Sequence, residues 1–180
     1  MRSTSVLLSL FAVVALVVIG LGVRRYAIAA AEGLLAVGSA EPDAAGVDQS
    51  GTNHQLSETR GHPTVVYFYP MDETPGCTKE ACAFRDVWQK YEQAGVRVFG
   101  VSLDNGESHA KFAAKYQLPF PLIADTSGSW AQAFGVPRKF GRYSRVSFLI
   151  AADGKVAKVY PDVDPGIHAT EVLTDIKNAK

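Results

Sequence analysis

The chain has 180 residues, 18 basic and 18 acidic, and a formal net charge of zero. That length suits one domain with a sizeable core, and a balanced chain without a basic cluster gives no support for nucleic-acid binding. Two cysteines, Cys77 and Cys82, are too few for a disulfide scaffold.

Val6 to Val23 is an uncharged run of 18 residues. As a helix it would span about 27 Å, close to the ~30 Å hydrocarbon core of a bilayer. The apolar part of a secretory signal is usually shorter, ~7–15 residues, and Arg24-Arg25 directly after the run suits a membrane stop. Residues 1–36 are therefore expected to form a hydrophobic helix and tether that anchors the protein in a membrane, with a cleaved signal as the alternative. Arg2 on one side and Arg24 and Arg25 on the other leave the orientation balanced.

Residues 37–180 read as alternating strands and helices. Val37 to Thr59 is polar, with turn signals at Gly46, Ser50-Gly51 and Gly61-His62-Pro63, and predicts short β-structure. Val65–Tyr69 is an apolar run that predicts a buried strand, stopped by Pro70, which has no N–H for a ladder bond. Asp72 to Gly76 reads as a turn. From Cys77 the spacing becomes helical, with Cys77, Ala81, Phe84, Val87, Trp88 and Tyr91 three and four apart, and predicts one long helix to Gln93, closed by Gly95. Val96–Ser102 predicts a second buried strand. Glu107–Tyr116 predicts a helix capped from Asp104-Asn105-Gly106. Pro121–Ala124 and Ser129–Phe134 predict a short strand and a short helix. Arg145–Ala151 and Lys155–Tyr160 flank Asp153-Gly154 as a hairpin, and His168–Asn178 predicts a terminal helix. This order defines an α/β domain with a mixed central sheet flanked by helices.

Cys77 thus lies at or near the first turn of a helix that follows a strand. The first N–H groups of a helix have no intrahelical acceptor, and the helix dipole adds partial positive charge there. Both favour a thiolate, and cysteines so placed titrate at about 3.5–7.5 in place of ~8.5. Thr74, three residues earlier, can offer its hydroxyl to the sulfur or to a bound substrate. A buried structural cysteine is the plainer reading of a lone cysteine, but the second cysteine and the spacing of Pro70, Thr74 and Cys77 argue for chemistry.

The stretch resembles the active site of peroxiredoxins, Pro-x-x-x-Thr/Ser-x-x-Cys, with Pro70, Thr74 and Cys77 in the motif positions. Cys82 five residues on, followed by Phe84-Arg85-Asp86, resembles the bacterioferritin-comigratory or Q-type subfamily, and the resemblance runs from about Val37 to the C-terminus. It implies a thioredoxin-like fold and a peroxidase that needs no metal, haem or flavin. It implies a Cys77 thiolate that takes an oxygen from hydrogen peroxide or an organic hydroperoxide. Cys82 would close an intramolecular disulfide, and a thioredoxin-like dithiol would reduce it. A monomer in the inner membrane of a bacterium, or a periplasmic form after cleavage, is the expected setting. The family keeps an arginine at the start of a strand before Ser/Thr-Phe, and Arg145 before Val146-Ser147-Phe148 matches it; Arg138 and Arg142 read as a solvated basic loop.

Magnitudes show why the arginine matters. A thiol pKa lowered from ~8.5 to ~6 raises the thiolate fraction at pH 7 about thirtyfold. Nucleophilicity falls with pKa, and with a slope of about 0.4–0.5 the loss is roughly ten- to twentyfold. A lowered pKa alone therefore gains little, and positioning of the peroxide and charge stabilisation must supply the rest.

Other residues carry plainer expectations. Glu80 either orients an arginine or is a solvated helix charge. His54, His62, His109 and His168 read as surface or capping residues, and Trp130 as a partly exposed packing residue. Phe120 and Phe140 are candidates to wall an apolar entrance. Two rival functions are a membrane-tethered copper-binding protein of thioredoxin fold, with His168 as third ligand, and a general thiol–disulfide oxidoreductase. Four residues separate the cysteines, which fits neither the three expected of the first nor the two of Cys-x-x-Cys in the second.

Overall fold

The computed structural model of the chain describes residues 33–178. The predicted strand in the middle of the chain is β3, Thr64–Phe68, and every one of its side chains is buried. A strand covered on both faces reads as a continuous apolar run, which explains Thr-Val-Val-Tyr-Phe. It lies at the centre of a five-stranded sheet of order β5-β4-β3-β8-β9. The partners are β4, Arg97–Ser102; β5, Leu122–Ala124; β8, Val146–Ile150; and β9, Val156–Tyr160. β3, β4 and β5 run parallel, whereas β8 is antiparallel to both β3 and β9. The mixed sheet expected from the order of elements is therefore present.

Among the described residues five α-helices cover it: α1, Pro75–Asp86; α2, Trp88–Gln93; α3, Gly106–Tyr116; α4, Ser129–Phe134; and α5, His168–Asn178. Tyr67, Phe84, Phe112, Val172 and Ile176 belong to the core on one face; Val66, Phe68, Trp130, Phe134 and Phe148 form that on the other. Leu34 is already buried in the second core, and Leu35 N–H donates to the Phe134 carbonyl at 2.9 Å.

Two small antiparallel pairs complete the fold. β1, Ala45–Val47, pairs with β2, Asn53–Gln55, ahead of a 3₁₀ turn at Leu56–Thr59. Gly46 has a packing reason: a Cβ there would stand 2.6 Å from Ile123 Cγ2 and 3.0 Å from the Trp130 indole nitrogen. That nitrogen donates to the Ala45 carbonyl at 2.9 Å, and Trp130 is buried, not partly exposed as expected. The second pair, β6, Arg138–Lys139, with β7, Arg142–Tyr143, was not foreseen in the basic loop.

Three further expectations are corrected. The long helix is two: at Val87 φ is −111° and ψ 13°, which ends α1 before α2 begins. Phe120 is buried among Tyr67, Phe84 and Trp88, while Phe140 is wholly exposed, so the two do not wall a common entrance. The membrane-anchored placement is overturned as well. Among the described residues no helix is long and apolar enough to cross a membrane, and the run 6–23 on which it rested lies outside them.

Candidate active site

The C-terminal end of β3 leads into a short turn and then α1. Thr74 is the residue before the helix, extended at φ −72° and ψ 146°, and Pro75 opens the first turn, where its missing N–H is no loss. Cys77 is the third helical residue and is buried, so its backbone N–H is among those without an intrahelical acceptor. Thr74 presents no side-chain cap; its hydroxyl donates to the Met71 carbonyl at 2.9 Å and not to the sulfur. Pro70 stands at the strand exit, half-buried.

Arg145 reaches this corner from the residue before β8. Its Nη2 donates to Cys77 Sγ at 3.2 Å, and its Nη1 is paired with Glu80 Oε2. One fork thus spans a sulfur and a carboxylate. Gly76 leaves the path open: a Cβ there would stand 3.2 Å from Arg145 Nη2. Burial works against the guanidinium charge, but Glu80 and then Cys77 outweigh it and hold Arg145 more firmly protonated. Glu80 is fully buried one turn into α1. Burial pushes its carboxyl up to about 7, with the Arg145 charge and hydrogen bond pulling it back. Of the two readings of Glu80, orientation of the arginine is the one the contacts support, and its burial excludes the solvated one.

Cys82 lies two turns along the same helix and is half-buried beside Arg85. Arg85 is itself tied down, donating to the Tyr116 carbonyl at 2.8 Å and to Asp86. The thiols are both free. The structure therefore brings Thr74, Cys77 and Arg145 to one corner with Pro70 at its edge, while Cys82 stands apart.

Two of the histidines expected to be surface or capping residues, His109 and His168, are wholly buried. His109 on α3 directs Nδ1 to Asp72 Oδ2 at 2.9 Å and Nε2 to the Ile123 carbonyl at 3.2 Å. Asp72 also accepts from Tyr69 at 2.8 Å and Ser108 at 2.7 Å. This network fixes the turn between β3 and α1 to α3. The signal was available: His109 lies three and four residues before Phe112 and Ala113, on the apolar stripe of its helix.

His168 opens α5 with its ring edge-on to Phe84 and Tyr160, and neither ring nitrogen has a hydrogen-bond partner among the described residues. Burial, reinforced by the Arg145 and Lys158 charges, pulls it down to about 4. Glu80 Oε1, Tyr67 OH and Ser147 Oγ are likewise buried without partners. Burial, then the charges of Glu80, Cys77 and Asp72, holds Tyr67 well above the ordinary range. The other two histidines are less enclosed: His54 pairs with Asp48 at 2.7 Å, and exposed His62 contacts the Gly95 carbonyl. A cleft of about 660 Å³ between Glu58, Trp88 and Arg97 includes neither cysteine.

A buried thiol at a helix start, touched by a half-buried arginine on a mixed sheet, is the arrangement of a thiol-dependent peroxidase. Residues 37–159 match the model of the AhpC/TSA family, and the chain belongs to that family. Within it, the similarity runs to the peroxiredoxin Q and bacterioferritin-comigratory group. The chain is 43% identical over 149 residues to the chloroplastic peroxiredoxin Q of Triticum aestivum, covering 81% of this chain and 69% of that protein. It is 42% identical over 125 residues to a putative peroxiredoxin bcp of Coxiella burnetii, covering 66% and 83%. Among solved structures, peroxidoxin BcpB from Mycobacterium tuberculosis superposes with a TM-score of 0.75 at 35% identity, covering 80% of this chain and 97% of that one. The bacterioferritin comigratory protein of Xanthomonas campestris, described for its alkyl peroxide reduction activity, gives 0.73 at 32% identity, covering 82% and 98%.

The fold is thus the thioredoxin-like fold of peroxiredoxins, and the protein is an oxidoreductase that reduces peroxide at the expense of thiols. The rival functions find no support. His168 is packed against Phe84 and Tyr160, and among the described residues no group of three His, Cys, Asp or Glu is placed to hold a metal ion. Several relatives are named as chloroplastic, which also departs from the inner-membrane setting expected.

Proposed function

We propose that Cys77 is the thiol that attacks peroxide, that Arg145 and Thr74 hold the peroxide in line, and that Cys82 resolves the product. The observation that carries this reading is the Arg145 fork, with one nitrogen on Cys77 Sγ and the other on buried Glu80. A guanidinium fixed by a carboxylate and touching a sulfur offers donors where charge develops on the peroxide oxygens. Pro70 stands two residues past the end of β3, at the entry to the turn that leads to Cys77.

The cycle balances as follows. The Cys77 thiolate attacks one peroxide oxygen, the O–O bond breaks, and sulfur is oxidised by two electrons to the sulfenic level while the other oxygen leaves as water or an alcohol. The leaving oxygen takes up the proton that the hydroperoxide brought. The sulfenate takes one proton from solvent, and the Cys82 sulfur then displaces the sulfenic hydroxyl, which leaves as water with the Cys82 thiol proton as the Cys77–Cys82 disulfide closes. A thioredoxin-like dithiol reduces it by exchange and is itself oxidised. Both cysteines lie on one helix, so the working unit is a single chain. The alkyl peroxide activity described for the Xanthomonas campestris protein supports organic hydroperoxides as substrates beside hydrogen peroxide.

The test is a coupled assay with NADPH, thioredoxin reductase and thioredoxin. Cys77→Ser is expected to abolish turnover. Cys82→Ser is expected to complete one turnover and leave a sulfenic acid that dimedone traps. Sustained thioredoxin-dependent turnover in Cys77→Ser would remove the proposal.

A further inference from the structure

The hairpin of β6 and β7 has no role in this chemistry, yet it has an unusual surface. Phe140 at its turn is wholly exposed and takes a φ of 51°, followed by Gly141 at 77°. A bulky residue in the left-handed region is strained, and with no burial to offset that strain, the fold gains nothing from this aromatic. Arg138, Lys139 and Arg142 surround it, all exposed, and no acidic residue occurs between Pro137 and Arg145. Among the described residues none of the three forms an ion pair with a carboxylate.

The hairpin is anchored at its root. Arg138 lies over the Tyr143 ring at 5.9 Å, and the Tyr143 hydroxyl donates to Asp125 Oδ2 at 2.8 Å. Asp125 follows β5, and β7 continues through Ser144 into Arg145, so the hairpin rises from the same end of the sheet as Cys77, where β3 and β5 finish and β8 begins. At ~3.5 Å per residue, the Cα of Phe140 lies within about 18 Å of that of Arg145. One partner's share of a standard interface, ~800 Å², is a disc of about 16 Å radius, so a single footprint covers both.

We propose that this hairpin is the docking surface for the protein dithiol that reduces the Cys77–Cys82 disulfide. The partner presents an apolar hollow for Phe140 within an acidic rim. Exposed aromatics with adjacent arginines are the residue types that anchor interfaces, and unpaired cations steer an acidic partner. A second copy of this chain fits poorly. A two-fold contact centred on Phe140 would press the three cations of one copy against those of the other. The proposal rests on the peroxidase reading, and its test keeps the two apart.

Full-length protein is assayed with saturating peroxide, thioredoxin and its NADPH-linked reductase, and separately with dithiothreitol. Phe140→Ser and the pair Lys139→Glu with Arg142→Glu are each expected to lower kcat/KM for thioredoxin about tenfold or more. The dithiothreitol-supported rate should not change. The wild-type dependence on thioredoxin should weaken with salt, and the charge-reversed variant should lose that salt slope. Unchanged thioredoxin kinetics overturn the docking surface. So does an equal loss with dithiothreitol, which would place the hairpin in the peroxide chemistry. Dissociation of a dimer by these variants, with unaltered thioredoxin kinetics, would identify a second copy as the occupant. A wild type that consumes peroxide with dithiothreitol but gains nothing from thioredoxin would refute the partner class and leave the peroxidase reading intact.

Discussion

Closure of the Cys77–Cys82 disulfide requires α1 to open. Both cysteines lie within the continuous helix Pro75–Asp86, five residues apart. Five residues rise about 7.5 Å and turn about 140° on a ~2.3 Å radius, which separates the two Cα atoms by about 8.7 Å. A disulfide holds its Cα atoms at ~4.4–6.8 Å. The helix start must therefore unwind when the bond forms. In the reduced protein that opening is opposed by buried Phe84, stacked on Tyr67 at 5.0 Å, and by the Arg145–Glu80 pair. Burial of one Phe side chain contributes about 1.5–3 kcal/mol, a factor of roughly 10–150 in the opening equilibrium. Amide hydrogen exchange at residues 79–84 should accordingly be at least about tenfold faster in the oxidised protein. Equal protection in both redox states, with the disulfide verified by peptide mass mapping, would refute the reasoning.

Three other outcomes follow from the site. Arg145→Lys keeps a charge but cannot span Glu80 and Cys77 at once, and the rate constant with peroxide in stopped flow should fall about 10²–10³-fold. Glu80 holds its proton up to about 7 in the folded protein against an ordinary value of 4.5, so its contribution to stability is complete below 4.5 and is lost as pH rises through 7. In urea titrations the wild type should lose up to about 3 kcal/mol relative to Glu80→Gln across that window. His168 has the opposite sign: it titrates at about 4 folded against an ordinary 6.5. The unfolded chain therefore binds the extra proton, stability falls as pH drops from 6.5 towards 4, and His168→Phe should lessen that acid loss by up to about 3 kcal/mol.

Much of the sheet and the strand-to-helix corner at Cys77 was legible because their signals are local. The run at Val65, the stop at Pro70 and the cap at Asn105, whose side chain accepts from Ser108 N–H, each sit within a few residues of what they specify. Arg145 was legible only through resemblance, since its contacts with Cys77 and Glu80 span 68 and 65 residues. The buried histidines depend on partners equally remote: Asp72 is 37 residues from His109. Position alone could have flagged them, since His168, Val172 and Ile176 share one stripe of α5. The hairpin of β6 and β7 escaped notice because two-residue strands are too short to show a period. The break at Val87 left no mark either, as the apolar spacing of α1 runs on into α2.

The central claim is that Cys77, held by Arg145, is oxidised first and Cys82 second. Its most direct test is peptide mass analysis of the reduced full-length chain after one equivalent of peroxide. The account predicts a loss of two hydrogens and a linked Cys77–Cys82 peptide in the wild type, and in Cys82→Ser one oxygen added on Cys77. Oxygen found first on Cys82, or a chain left unmodified, would contradict it.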